Sequence, residues 1–205
     1  EISCSLVGSE MCIRDRAMED GVDVIVFSAV DYNANAEIIG QAAQRGIKIV
    51  VIDSDVNSSM VSCRIGTNNL QAGVKAAEAA LAVGEDELYI GIVNYDVNSA
   101  NGQQRELGFR QTVEQDPRVK NITTINVLST TEDARAGAKE MLLSDSRINV
   151  VVTFNEWTSL GVGWAIRDLN RADRIQVVAF DSNVVSVGML ETGEVDALIV
   201  QNPYA

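Results

Sequence analysis

Asn149-Val150-Val151-Val152-Thr153-Phe154 is an apolar run stopped by Asn155-Glu156-Trp157, and Ile175-Gln176-Val177-Val178-Ala179-Phe180 is a second, stopped by Asp181-Ser182-Asn183. Residues 157–169 between them carry the spacing of a helix. A strand with one wet face alternates polar and apolar side chains. These runs do not, so both of their faces are expected to be covered. Two such strands joined through a helix make a parallel βαβ unit.

The alternation continues in both directions. Strand-like runs fall at 22–27, 47–52, 61–65, 88–93, 122–128 and 197–200, and helical patterns at 35–45, 70–83, 102–115, 131–143 and 184–191. The order is β-α-β repeated, so the expected class is α/β with mainly parallel sheet.

Composition narrows the function. The chain has 205 residues, 46% of them hydrophobic, and a formal net charge of −13. So acidic a surface repels phosphate backbones, which disfavours nucleic acid as a partner. There are no histidines, which removes the usual general base and the commonest zinc ligand. Cys4, Cys12 and Cys63 lack metal-ligand spacing, so neither metal nor cofactor is expected. A lone strand cysteine such as Cys63 is ordinarily a small buried hydrophobe. No run has the apolar length of a membrane-spanning helix.

Leu6-Val7-Gly8-Ser9-Glu10-Met11-Cys12-Ile13-Arg14-Asp15-Arg16 resembles a translated sequencing adaptor, a transposase mosaic end read through in frame. On that reading residues 1–16 are not native, native sequence starts near Ala17, and the chain is a fragment. The alternative is a strand over 3–7 followed by a loop.

Ligands of open α/β sheets bind beyond the carboxyl ends of the strands. Those ends read Asp53-Ser54-Asp55, Asn94-Tyr95-Asp96, Asn155-Glu156-Trp157, Asp181-Ser182-Asn183 and Gln201-Asn202. Carboxylates and amides pair with vicinal hydroxyls, whereas phosphate calls for glycine-rich loops or cations. The pattern points to a neutral polyol. Asp and Asn also cap helices and shape turns, and for any single residue that explanation competes evenly. Recurrence at successive strand ends favours the ligand.

Several pieces in order carry a resemblance: Asp20-Gly21-Val22-Asp23-Val24-Ile25-Val26, Gly46-Ile47 leading to Ile52-Asp53-Ser54-Asp55, and Ile65-Gly66-Thr67-Asn68-Asn69 with Ala72-Gly73. They continue with Arg105, Gly108-Phe109, Phe154-Asn155-Glu156, Leu160-Gly161, Val178-Ala179-Phe180-Asp181 and Ile199-Val200-Gln201-Asn202-Pro203. In this order they resemble the ribose/galactose type of periplasmic binding protein, type I, whose fold lactose-repressor-type effector domains share. The resemblance implies two Rossmann-like lobes, with lobe one (17–66) incomplete, lobe two at 67–200, and a crossover starting at 201–205. It implies a non-enzymatic, monomeric substrate-binding protein of a sugar ABC importer. Such a protein closes on a monosaccharide or polyol and presents it to a membrane permease, from a periplasm or a lipid anchor outside the cell.

Carried over by position, Asp53, Asn155, Asp181 and Gln201 are the hydroxyl-binding residues. Ser54 and Gln103 stand where the ribose-binding pattern has ligand-binding arginines, and Thr130 lies near an expected stacking aromatic. Those departures put ribose itself in doubt. Arg105 is retained, at a position more often structural. Trp157 could supply a replacement apolar face, although a helix-start tryptophan is more often core. Tyr95 and Asp96 line the same edge.

Two alternatives compete. One is the effector domain of a lactose-repressor-type regulator, which needs a helical DNA-binding headpiece upstream. The other is a haloacid-dehalogenase-type phosphatase with Asp53 as nucleophile and Asp55 as acid/base. That enzyme also needs a lysine and a late acidic pair at strand ends. Lys120 and Lys139 do not follow strands, and 180–183 offers a single carboxylate.

Overall fold

A computed structural model describes residues 17–202 and the backbone of Ser3–Cys4. The chain divides into two compact units. The first runs to Thr67 and takes in Asn98–Gln103; the second comprises Asn68–Val97 and the chain from Gln104 onward. Residues 98–103 fall within the expected second lobe (67–200). The structure groups them with the first, where the Tyr32 N–H donates to the Asn98 carbonyl at 3.0 Å.

In the first unit β1 (Ser3–Cys4), β2 (Val24–Phe27), β3 (Lys48–Ile52) and β4 (Cys63–Ile65) form a parallel sheet in that order. Helix α1 (Ala36–Gln44) connects β2 to β3 and buries Ile39 and Ala42. These meet Ile25, Phe27, Ile49, Val51 and Val56 in one core. Gly46, at φ +87°, takes the left-handed turn that lets the chain leave α1 and enter β3. The adaptor-like residues 6–16 lie outside the described residues. The backbone of Ser3–Cys4 pairs in parallel with Val26 and Phe27.

Cys63 departs from expectation: it is exposed. Among the described residues its strand pairs only with β3, and all three of its residues are exposed, so this edge position offers a small hydrophobe no core.

The second unit holds β5 (Leu88–Tyr95), β6 (Val119–Val127), β7 (Val150–Thr153), β8 (Gln176–Phe180) and β9 (Ala197–Ile199). All pair in parallel, in the order β6-β5-β7-β8-β9. Helices α2 (Asn69–Leu81) and α3 (Ala100–Val113) supply Ala76, Ala77, Phe109 and Val113 to one face, against Ile90, Ile92, Val150, Val152, Val178 and Phe180. Helices α4 (Thr131–Ser144), α5 (Glu156–Leu169) and α6 (Val184–Thr192) cover the other, against Val93, Val151, Val177 and Ala179. Successive residues of β7 and β8 thus enter opposite cores, which is why their sequences do not alternate. No helix among the described residues is long and apolar enough to cross a membrane.

An ion-pair fork ties α4 to α5. Arg135 donates to both Asp168 oxygens (2.8 and 2.6 Å) and Lys139 adds a third bond at 3.1 Å. Arg135 first, then Lys139, holds the Asp168 carboxyl down to about 2 from its usual 3.8. A carboxylate whose folded pKa is depressed stabilises above the unfolded value and stops doing so as pH falls through the folded one. The contribution is therefore present above about pH 4 and lost toward pH 2. Exposure to solvent and salt keeps it modest. Urea unfolding at about pH 5 and about pH 2.5 is expected to show a smaller acid-induced loss in Asp168→Asn than in the parent.

Candidate functional site

Each sheet presents an aspartate at the carboxyl end of its penultimate strand, and the two are held alike. Asp53 follows β3 with φ +57°, and its N–H donates at 2.9 Å to the carbonyl of Ile65, the last residue of β4. Asp181 follows β8 with φ +64°, and its N–H donates at 2.9 Å to the carbonyl of Ile199, the last residue of β9. Among the described residues only these two and Asn170, which ends α5, are non-glycine residues with positive φ. Left-handed backbone at a residue with a Cβ costs energy, tolerated best by Asp and Asn, and such residues cluster at binding sites. The turn lifts each carboxylate off the strand end while the last rung fixes its base.

Each carboxylate has an amide beside it. Gln201 Nε2 donates to Asp181 Oδ1 at 2.6 Å. Asn101, buried, donates Nδ2 to Asp53 Oδ1 at 3.4 Å within the first unit. An Asp–amide pair of this kind offers acceptors and donors side by side, the complement of neighbouring hydroxyls.

The second sheet reverses its strand order between β5 and β7, and the crevice at such a reversal is where open α/β sheets bind ligands. Asn155 stands there. Its side-chain oxygen accepts from the Thr158 N–H (2.9 Å) and hydroxyl (2.8 Å), capping α5, and its Nδ2 donates to Ser129 at 2.7 Å. Two groups meet Phe180 from opposite sides. Arg105, 2% exposed, lays its guanidinium 4.9 Å from the Phe180 ring, donates to the Phe154 carbonyl at 2.6 Å and to Asn69 at 2.8 Å. The Ser159 hydroxyl accepts from the Phe180 N–H at 2.9 Å.

A profile of the periplasmic binding protein domain matches residues 13–205. The chain belongs to this family. It is 24% identical over 196 residues to the D-ribose/D-allose-binding protein of Pseudomonas aeruginosa, covering 91% of this chain and 60% of that one. It is also 24% identical over 194 residues to the D-apiose import binding protein of Actinobacillus succinogenes, covering 87% and 62%. Among solved structures it resembles a carbohydrate transporter solute-binding protein of Agrobacterium radiobacter in complex with D-arabinose. There the TM-score is 0.91, identity 25%, and coverage 97% of this chain and 69% of that one. The fold of GanP, a glucose-galactose binding protein of Geobacillus stearothermophilus, matches with TM-score 0.90 at 23% identity, covering 98% and 71%. The chain spans 60–62% of the length of these curated relatives. They are binding proteins, not enzymes.

Within this periplasmic binding protein domain the expected residues part company. Asp53, Asp181, Gln201 and Asn155 lie at the carboxyl edges of their own sheets, and Gln103 is exposed on α3. Ser54 is 8% exposed; its N–H donates to the Ser28 hydroxyl at 3.4 Å and its carbonyl accepts from Ala29 at 3.0 Å. It closes the turn behind Asp53 instead of replacing an arginine at the edge. Tyr95 is core: β5 runs two residues past the expected end, because β6 pairs with Asn94 and Tyr95. Asp96 follows, half-buried, its N–H on the Val127 carbonyl at 3.3 Å. Thr130 caps α4 by accepting from the Asp133 N–H at 3.2 Å.

Arg105 is buried and pins two strand ends, through the Phe154 carbonyl and the Phe180 ring. Trp157 is 49% exposed at the start of α5, not in the core position that a helix-start tryptophan more often takes. Asp55 is paired with Arg64 at 2.8 Å and accepts from the Val56 N–H, which ill suits an acid/base. Among the described residues no group of three or more His, Cys, Asp or Glu could hold a metal. Asn101 and Ser159 carry no local sequence signal, because each meets its partner across a long stretch of chain and neither follows a strand.

Proposed function

We propose that this chain is the larger part of a sugar receptor serving an ABC importer, binding a monosaccharide or similar polyol by hinge closure without transforming it. The observation that supports this reading is the matched pair of left-handed aspartates, Asp53 and Asp181, each with an amide partner. One charge-assisted acceptor on each unit favours the closed state, because a ligand that bonds both gains most there. Trp157 offers an exposed apolar face of the kind that packs on a sugar ring. The named relatives bind pentoses and hexoses, and the Asp–amide pairs suit the same neutral class. The closed receptor would meet a membrane permease, working in a periplasm or from a lipid anchor outside the cell.

Calorimetric titration of the full-length protein with pentoses, hexoses and cyclitols tests this reading. Saturable heat with at least one neutral sugar is expected. Silence across the panel, with tight binding of an amino acid or an inorganic anion, would sink it.

A further inference from the structure

We propose that Ser159 is a positioning residue that holds the Asp181 turn in its ligand-ready conformation; this rests on the sugar-receptor reading. Pairing between β7 and β8 ends at Val152 and Val178. Past that point the two strand ends lose contact through the backbone, although Asp181 lies still further on. The Ser159 hydroxyl fills the gap. It accepts from the Phe180 N–H (2.9 Å) and lies 2.9 Å from the Phe180 carbonyl, 2.6 Å from the Asn155 carbonyl and 2.8 Å from the Thr153 hydroxyl.

A hydroxyl has one proton and two lone pairs. Ser159 therefore donates to a carbonyl and accepts from Phe180 N–H and Thr153 O–H. All of its capacity is used at a site 1% exposed. A helical serine commonly bonds the carbonyl four residues back, here Asn155. The Phe180 bond is additional, and it spans from helix to strand. One side chain thus joins the carbonyl of Asn155 to the N–H of Phe180, the residue before Asp181. With the ring of the same Phe180 held under Arg105, the base of the turn is fixed from both sides of the sheet.

The first unit does the same job differently. There Ser54, just past Asp53, bonds through its own backbone to Ser28 and Ala29, the residues that follow β2. Asp53 therefore provides an internal control.

The test is a double-mutant cycle with D-ribose, D-allose and D-arabinose titrated separately. Ser159→Ala is expected to weaken binding about 10-fold in the parent but less than about 2-fold in an Asp181→Asn background, since its effect runs through that carboxylate. Equal losses in both backgrounds, or none in either, would overturn the proposal. Ser159→Cys, which keeps the shape with a weaker hydrogen bond, takes the place of Ser159→Ala if the latter does not fold. Amide exchange reads the turn without a ligand: the Asp181 N–H is expected to exchange faster in the variant while that of Asp53 is unchanged. No differential between them overturns the positioning role, whereas a parent that binds no sugar yet shows the differential overturns only the receptor reading.

Discussion

Asp181→Asn and Asp53→Asn are each expected to weaken sugar binding by about 100-fold or more while leaving the melting temperature near that of the parent. Asn accepts the left-handed backbone as readily as Asp, so the turn survives and only the charge is removed. Each carboxylate can accept from two vicinal hydroxyls, and charge-assisted bonds contribute about 1.5–3 kcal/mol apiece. Loss of about 3 kcal/mol corresponds to roughly two powers of ten in affinity. Alanine at either position would add about 1–2 kcal/mol of backbone strain and blur binding with stability, which is why asparagine is the informative change. Affinities within about 3-fold of the parent for both variants, at an experimental resolution of a few tenths of a kcal/mol, would reduce the two aspartates to turn formers.

The second large effect concerns stability. A methyl on Gly73 would strike the backbone carbonyl of Arg105, and one on Gly108 the backbone carbonyl of Leu70. Neither obstacle is a side chain that can swing aside, so α2 and α3 must separate. Overpacking of this sort costs about 1–3 kcal/mol, more where backbone blocks backbone. In a chain of this size each kcal/mol lowers Tm by about 2–4 °C. Gly73→Ala and Gly108→Ala are expected to melt about 5–10 °C lower, and the double variant to lose less than the sum because one separation relieves both clashes. Gly188→Ala is the control: nothing lies within 4 Å of its added carbon, and a helical Gly→Ala with room for the methyl gains about 0.5–1 kcal/mol. Melting curves that do not separate the two classes of glycine would contradict the packing described for α2 and α3.

Arg105 illustrates how far a sequence can be read at such a site. Its presence in the right order beside Gly108-Phe109 helped to identify the family, yet its partners come from positions 69, 154 and 180. Asn155 was expected both as a ligand residue and as a cap. The structure commits its oxygen to the cap and leaves a single amide hydrogen beyond the bond to Ser129.

By itself the sequence determined the alternation of strands and helices, the parallel sheet, and the aspartates and amides at the carboxyl edges. Those follow from periodicity and turn chemistry, which act over a few residues. Tertiary structure alone decided that Ser54 and Tyr95 turn inward, that Cys63 and Trp157 face outward, and that Asn101 and Ser159 serve the two aspartate turns. Burial and hydrogen-bond choice depend on which distant element arrives opposite a side chain, and no local pattern encodes that arrival.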